Sequence, residues 1–583
     1  MSDYESRLRP DRGLFPLNEL AENSARNFGP RPVMRTWTGN GYKEIAYTDL
    51  NDMVNAIARW LIDQGIGRGD RVAVLGENRP EWAASYLGTQ TAGAAVVPVD
   101  AMMPPTGIRH ILSDSESKIL LTSAKFLKVV AEMENIPTLE KIVCFDEECV
   151  EDAVPFDMAL QLGKESRTEL PGRELDELAA ILYTSGTTGH SKGVMLSQMN
   201  IMSNVASASR IFPVGPDDTF LSVLPVHHSF ECTAGFLLPI YCGCSITYAH
   251  SLASQDLITD IRNTGVTMMV GVPLLFEKMH AGILRGIKKK GRKTQRLFNT
   301  MYNLVAAGEK AGLSLGGKVF KSLREKAGFS TVKFFVSGGG PLDPATAVFF
   351  NRIGIKLMQG YGLTETSPVT HVNPPWKVSH ETVGPPIPGV ECMIVDKKES
   401  GVGEVCIKGP NVFAGYYKNE TATRKCLEEN GWFHTGDLGI IREDNYLQIM
   451  GRVKNMLVTG GGKNVYPEEI EHHLNRNRFI AESLVLGVPR DSGYGEDVAA
   501  LIYPDYEQVD LYFEQMSKKP SPDDVFRLIK KEIKDAQQEL EDFKHVHSFR
   551  IVEEEFQKTS TRKIKRFLYS GEMLKVNNET KQG

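Results

Sequence analysis

The sequence predicts an α/β protein with a large N-terminal domain, a small β subdomain and a small α+β domain at its C-terminal end. Three observations predict it. Short apolar runs alternate with stretches of helical periodicity through the N-terminal part of the chain. From Gly384 the pattern changes to short strands and turns, and near Gly451 a separate unit of helix, strands and helix begins. At 583 residues the chain exceeds what one hydrophobic core serves, so division into domains is expected.

The elements follow in order. "YTDLNDMVNAIARWLIDQGI" carries apolar residues at Leu50, Met53/Val54, Ile57 and Trp60/Leu61, the spacing of a helix. "DRVAVLG" then reads as a short buried strand, "EWAASYLGTQTAG" as a helix and "AAVVPVD" as a strand. Strands alternating with helices imply a parallel sheet covered by helices on both faces. The rhythm returns in "DDTFLSVLP", "CSITYA", "VTMMVGVP" and "VKFFVSGG". Within it, apolar positions recur at Phe276, Met279, Ile283 and Ile287, and again at Leu297, Met301 and Leu304/Val305. That predicts an insertion, about 276–330, of helices joined by a basic bend. From Arg285 to Arg296 the bend holds seven basic residues in twelve and no acid, which suits either a solvated loop or an anionic membrane surface. "GVECMIVD" and "GEVCIKG" form the small β subdomain. Domains of 1–451 and 452–583 are expected. In the second, "PEEIEHHLN" has Pro467 at a first helical position and acids in its first turn. The strands "ESLVLGVP" and "DVAALIYP", the helix "DDVFRLIKKEIKDAQQEL" and a basic tail complete it.

Composition bounds the function. Hydrophobic residues at 41% and charged residues at 24% describe a soluble globular protein. A net charge of -6 and a pI near 6.2 argue against a nucleic-acid binder. No apolar run is long enough to span a bilayer, and "MSDYESRLRPDRG" has no apolar core of a secretory signal. The eight cysteines form no C-x-x-C pair, so small buried thiols, a cytoplasmic location and no structural metal are expected.

"YTSGTTGHSKG", residues 183–193, holds three glycines, five Ser/Thr hydroxyls and a lysine. Glycines let backbone N–H groups converge, the hydroxyls of Thr184, Ser185, Thr187 and Thr188 donate, and Lys192 supplies charge: an anion cradle. It is not a Walker loop, because Ser191 stands where that pattern needs glycine and "GVMLS" after it reads as a strand, with a helix only from near Ser197. A plain surface hairpin fits the same residues.

The loop has company. "LPVHHSFE", "QGYGLTETSP", "GWFHTGDLG", "GRVKNMLVTGGGKNVYPEEIE" and "KTSTRKIKR" follow it in that order. Together the six stretches resemble the adenylate-forming superfamily of acyl-CoA synthetases, luciferases and nonribosomal adenylation domains, over nearly the whole chain. The resemblance implies a large domain of two helix-flanked sheets and a mobile C-terminal domain. It assigns Thr184, Ser185, Gly186, Thr187, Thr188, Gly189 and Lys192 to the phosphates of ATP. Thr364 becomes a phosphate contact, and Glu365, with Thr184, a ligand of Mg²⁺; a carboxylate suits a hard cation bridging phosphates.

By the same resemblance, Gly338, Gly339 and Gly340 border the adenine and acyl pocket, where absent side chains let a ligand approach the backbone. Gln359, Gly360, Tyr361 and Gly362 adjoin them, with Tyr361 along the adenine. Asp437 accepts from the ribose hydroxyls, Arg452 is the second ribose or phosphate contact, and Lys454 is the hinge. His228 lies near the entering carboxylate, with His227 where an aromatic is often found. Gly460, Gly461 and Gly462 flank the pantetheine of CoA. Lys563 is the catalytic lysine, preceded by Arg562 where glycine is usual. The bland readings of these residues are a core histidine, a turn aspartate, a core tyrosine and a basic tail.

The implied reaction joins a carboxylic acid to CoA at the expense of ATP, through an acyl-adenylate. The insertion between Pro273 and Ser337 resembles the long-chain synthetases, which implies a medium- to long-chain fatty acid. Alternatives are an enzyme loading a carrier protein in trans, a luciferase-like oxygenase, and a membrane-recruited nucleotide-binding adaptor without turnover. The oligomeric state stays open, and the basic bend would attach the chain, if at all, to the inner face of a membrane.

Overall fold

In the computed structural model the residues described are 3–133, 136–147, 149, 152–184, 191–490, 495–538, 540–559 and 564–569. Two compact units emerge: Met1–Cys392 with Ile407–Phe433, and Met393–Cys406 with His434–Gly583.

The first unit holds two eight-stranded sheets. One runs in the order Gly415–Tyr416, Lys192–Ser197, Leu178–Thr184, Ala95–Pro98, Arg71–Leu75, Ile119–Thr122, Lys141–Cys144, Val154–Pro155. From Leu178–Thr184 onward it is parallel, while Lys192–Ser197 folds back antiparallel. The other runs Val369–Val372, Lys356–Gly362, Phe334–Ser337, Met268–Gly271, Thr219–Ser222, Ser245–Tyr248, Pro32–Trp37, Tyr42–Ala46. It is parallel except for the antiparallel pairing at each end.

Helix Tyr47–Asp63 buries Leu50, Val54, Ile57, Trp60 and Leu61, the stripe its periodicity predicts. It packs on helix Pro80–Thr91, in which every residue but Glu81 is buried. Such a helix can carry no polar face, and its small residues let neighbours close in: a Cβ on Gly88 would come 2.8 Å from Ile57.

The insertion forms helices Pro273–Lys289 and Arg292–Lys310, meeting at the predicted basic bend. Phe276, Met279 and Ile283 pack into a core with Leu221, Met269, Phe335 and Phe350. The second helix departs from its predicted stripe. Val305 is buried and Met301 half-buried, so the Leu304/Val305 position is met by the valine, but Leu297 is 61% exposed. Phe298 takes its place and, with Tyr302, packs against Phe320 and Phe349. Phe298 sits one position on from Leu297, and Tyr302, four positions on from Phe298, shares its face.

The second unit carries a four-stranded sheet in the order Glu391–Val395, Gly403–Lys408, Phe433–Ile441, Leu447–Arg452. It also carries a hairpin, Leu457–Val458 with Asn464–Val465, and a sheet of Ile480–Pro489, Glu496–Pro504 and Ser548–Ile551. Helix Pro467–Asn475 starts at the predicted proline. Helix Pro522–Ala536 buries Val525, Leu528, Ile529 and Ile533 in the core of this unit.

Candidate active site

In the first unit the predicted residues cluster because parallel strands deliver them. Ligands of open α/β sheets bind beyond the C-terminal ends of the strands. Strand Thr219–Ser222 leads into the turn of His227 and His228, strand Phe334–Ser337 into Gly338, Gly339 and Gly340, and strand Lys356–Gly362 contains Gln359, Gly360, Tyr361 and Gly362. Gln359 donates to the Gly340 carbonyl at 3.4 Å. Gly339 has φ +81°, and a Cβ on Gly338 would come 2.9 Å from the Phe230 ring. A Cβ on Gly362 would lie 1.8 Å from the Pro368 carbonyl oxygen, so nothing larger fits.

Thr364 and Glu365 follow on one 3₁₀ turn, Thr364–Thr366. Buried amides hold the chain there: Asn411 donates to Thr366 O at 2.9 Å and Asn204 to Val369 O at 2.6 Å. The Thr364 hydroxyl lies 3.3 Å from that of Ser229, joining this turn to the histidine turn. His227 packs against His228 with ring centres 4.3 Å apart, and its Nε2 lies 3.1 Å from Asp100.

The loop "YTSGTTGHSKG" joins an antiparallel pair in which Thr184 faces Lys192 and Tyr183 faces Gly193. Ser185, Gly186, Thr187, Thr188 and Gly189 lie outside the described residues. The helix beyond begins after Ser197, which caps Asn200 N–H at 3.1 Å and is capped in return. Edge strand Gly415–Tyr416 pairs with Lys192–Ser197 and brings the Tyr416 ring 4.9 Å from Lys192 Nζ. The Tyr416 hydroxyl donates to Glu365 Oε1 at 2.8 Å. Burial, then the Glu365 carboxylate, push that hydroxyl well above its ordinary pKa, so it stays a donor. Lysine, tyrosine and glutamate thus link the glycine loop to the 3₁₀ turn. Tyr416 was invisible in the sequence, because nothing local marks a tyrosine 51 residues from its carboxylate.

In the second unit Asp437 faces Arg452 across antiparallel strands, and Arg452 Nε meets its buried carboxylate at 2.8 Å. Lys454 sits in the 3₁₀ turn Val453–Asn455. Gly460, Gly461 and Gly462 lie in the connection of the small hairpin, with Gly462 at φ +71°. Gly460 has a reason of its own to lack a side chain: a Cβ there would come 2.4 Å from Arg490 Nη1. Lys563 lies outside the described residues, but both shoulders of its segment are anchored. Lys558 pairs with Glu482 and, at 3.1 Å, with Glu555; Arg566 pairs with Glu471 and donates to Val485 O at 3.0 Å. Burial pushes the Glu471 carboxyl up to about 7, and Arg566 pulls it back. Lys558 bridges to Ile564 across the segment. Two cations of the basic tail are therefore structural anchors.

Residues 21–417 match the AMP-binding enzyme family. The chain belongs to that family. Among curated relatives, this AMP-binding enzyme is 30% identical over 542 residues to fatty acyl-CoA synthetase A of Dictyostelium discoideum, spanning 88% of this chain and 79% of the relative. It is 30% identical over 494 residues to long-chain-fatty-acid–CoA ligase 1 of Saccharomyces cerevisiae, spanning 76% and 70%. Among solved structures, an anthranilate CoA ligase in complex with anthranoyl-AMP superposes with a TM-score of 0.77 at 20% identity, over 95% of this chain and 97% of that one. ATP-bound MatB of Rhodopseudomonas palustris gives 0.73 at 25% identity, over 95% and 98%. The fold is that of the adenylate-forming enzymes, and the AMP-binding enzyme is of the ligase type, as its curated relatives are. Among the described residues no helix is long and apolar enough to cross a membrane.

The donor set of this AMP-binding enzyme suits a hard cation. Glu365, the Tyr416 hydroxyl bonded to it and Thr364 on the same turn offer oxygen only, the donor type a hard cation takes.

Proposed function

We propose that this AMP-binding enzyme is an ATP-dependent acyl-CoA synthetase acting on medium- to long-chain fatty acids. The grouping of Lys192, Tyr416 and Glu365 carries the reading, because a cation and a hydroxyl-supported carboxylate then flank one phosphate loop. Lys192 and the hydroxyls from Thr184 to Thr188 grip the phosphates, and Thr364 adds a contact. Glu365 and Thr184 would hold Mg²⁺, which would supply positive charge against the phosphates. Asp437 accepts from the ribose, with Arg452 beside it, and Tyr361 lies along the adenine. His228 meets the acid carboxylate as it attacks the α-phosphate, and Lys563 meets the oxygens that gain charge. Residues 452–583 then turn about Lys454, and the CoA thiol attacks the adenylate with its pantetheine beside Gly460, Gly461 and Gly462.

The chain-length reading rests on the insertion helices and on the names of the two curated relatives. Each buried methylene contributes about 0.8 kcal/mol, so kcat/KM should climb along a series of saturated acids. Pyrophosphate release across that series, with and without CoA, is the measurement. Highest kcat/KM for acetate or benzoate would overturn the chain-length reading. Release without thioester formation would transfer the acyl group to a carrier protein instead, and no release at all would leave a nucleotide-binding adaptor.

The basic bend meets an anionic membrane surface, where fatty acids partition. Beside its seven cations stand Leu284 and Leu297, 40% and 61% exposed. Each cation near such a surface contributes about 1 kcal/mol, screened by salt. Replacing Lys288, Lys289 and Lys290 by glutamine should release the protein from phosphatidylglycerol vesicles in co-sedimentation. Unchanged sedimentation would make the bend a solvated loop.

A further inference from the structure

Glu231 is the last residue of "LPVHHSFE". It opens a π-helical segment, Glu231–Leu237, and is fully buried. π-segments are rare and recur at functional sites. Its Oε1 accepts from the Ser222 hydroxyl at 2.6 Å, at the end of strand Thr219–Ser222. The same Ser222 oxygen accepts from Asn78 Nδ2 at 2.8 Å. Asn78 lies just beyond strand Arg71–Leu75 of the other sheet, and its amide reaches two backbone groups: Nδ2 donates to Leu224 O at 2.6 Å and Oδ1 accepts from Val226 N–H at 2.9 Å. Three polar side chains from three elements therefore hold the backbone immediately before His227 and His228. The turn closes through His228 N–H to Pro225 O at 3.1 Å and Cys232 N–H to His228 O at 2.9 Å.

A buried acid is costly unless it is hydrogen-bonded. Burial pushes the Glu231 carboxyl up to about 8, with the Ser222 hydroxyl pulling it back only in part. The carboxyl also has a made-to-measure berth: a Cβ on Gly235 would come 2.5 Å from its carbon and Oε1. An apolar side chain would fill such a berth with no desolvation cost, so the acid has a task that packing does not explain.

We propose that Glu231 is a positioning residue: through Ser222 and Asn78 its carboxyl group fixes the turn that presents His228 to the acid substrate. This rests on the adenylate-forming reading of that turn. A displaced turn loses near-attack geometry, and a misplacement of about 1 Å can cost roughly 10²-fold.

The test uses the full-length enzyme, with a saturated fatty acid, ATP and single-turnover adenylate formation, and with ATP binding titrated directly. Glu231→Ala should raise KM for the acid and slow adenylation by up to about 10²-fold, leaving the ATP dissociation constant unchanged. Glu231→Gln keeps an accepting oxygen for Ser222 and should restore most of the rate. Where Glu231→Ala does not fold, Asn78→Ala cuts the same network nearer the turn and should give the same split. Gln as poor as Ala, ATP binding lost in step with adenylation, or an Asn78→Ala enzyme with unchanged KM for the acid would each overturn the positioning role. A wild-type enzyme that releases no pyrophosphate with any acid would instead overturn the reading on which it rests.

Discussion

Lys563→Ala should slow adenylate formation by about 10²–10³, roughly 2.7–4 kcal/mol, and leave the thioester half-reaction near the wild-type rate. A lysine ammonium is a compact point charge, suited to the oxygens that gain charge as the α-phosphate is attacked. The thioester step attacks the acyl carbon and expels AMP, so no charge builds on an α-phosphate under attack. The anchors on either side sharpen the expectation. Lys558 and Arg566 are held by Glu482 and Glu471, so they are poorly placed to stand in for a lost neighbour. Arg562 and Lys565 are the remaining cations of the segment, and a partial substitution by either would soften the first loss without removing the asymmetry. Two single-turnover assays measure it, one from acid plus ATP and one from acyl-adenylate plus CoA. Equal losses in both would make Lys563 structural.

Glu365→Gln should cost about 3 kcal/mol in adenylate formation, roughly 150-fold. Glutamine keeps the shape and an oxygen that can accept from the Tyr416 hydroxyl, so the turn should persist. What disappears is the charge. Thermal unfolding near the wild-type Tm, with the rate lost and more Mg²⁺ needed for half-maximal nucleotide binding, is the expected pattern. Catalysis within tenfold of wild type would move the cation site elsewhere. An unfolded variant would assign the Glu365 carboxylate to holding Tyr416.

Local chemistry decided much of this molecule in advance. The stripe of helix Tyr47–Asp63, the cap at Ser197, the proline that starts helix Pro467–Asn475 and the hairpin around the glycine loop all depend on residues within a few positions of one another. Such patterns survive in any tertiary setting, because backbone hydrogen bonding and side-chain periodicity are local. Helix Tyr506–Glu514 escaped the sequence reading although Asp505 caps it, accepting from Gln508 N–H at 3.1 Å; one cap beside a weak apolar stripe was too little to separate it from a loop. Strand Ser548–Ile551 escaped because its partner, Glu496–Pro504, lies far back in the chain.

The order of the six motifs already carried the family and the α/β class. Tertiary structure alone decided which helix face of the insertion is buried, where Leu297 lost to Phe298, whose ring partners come from beyond that helix. It alone joined Tyr416 to Glu365 and Glu231, through Ser222, to Asn78. Those links are made by side chains from separate strands and helices, delivered to one place by sheet order. Burial then gives each hydrogen bond its weight, because a polar group removed from water has no other partner to turn to. A sequence supplies the groups; the sheets choose which of them meet.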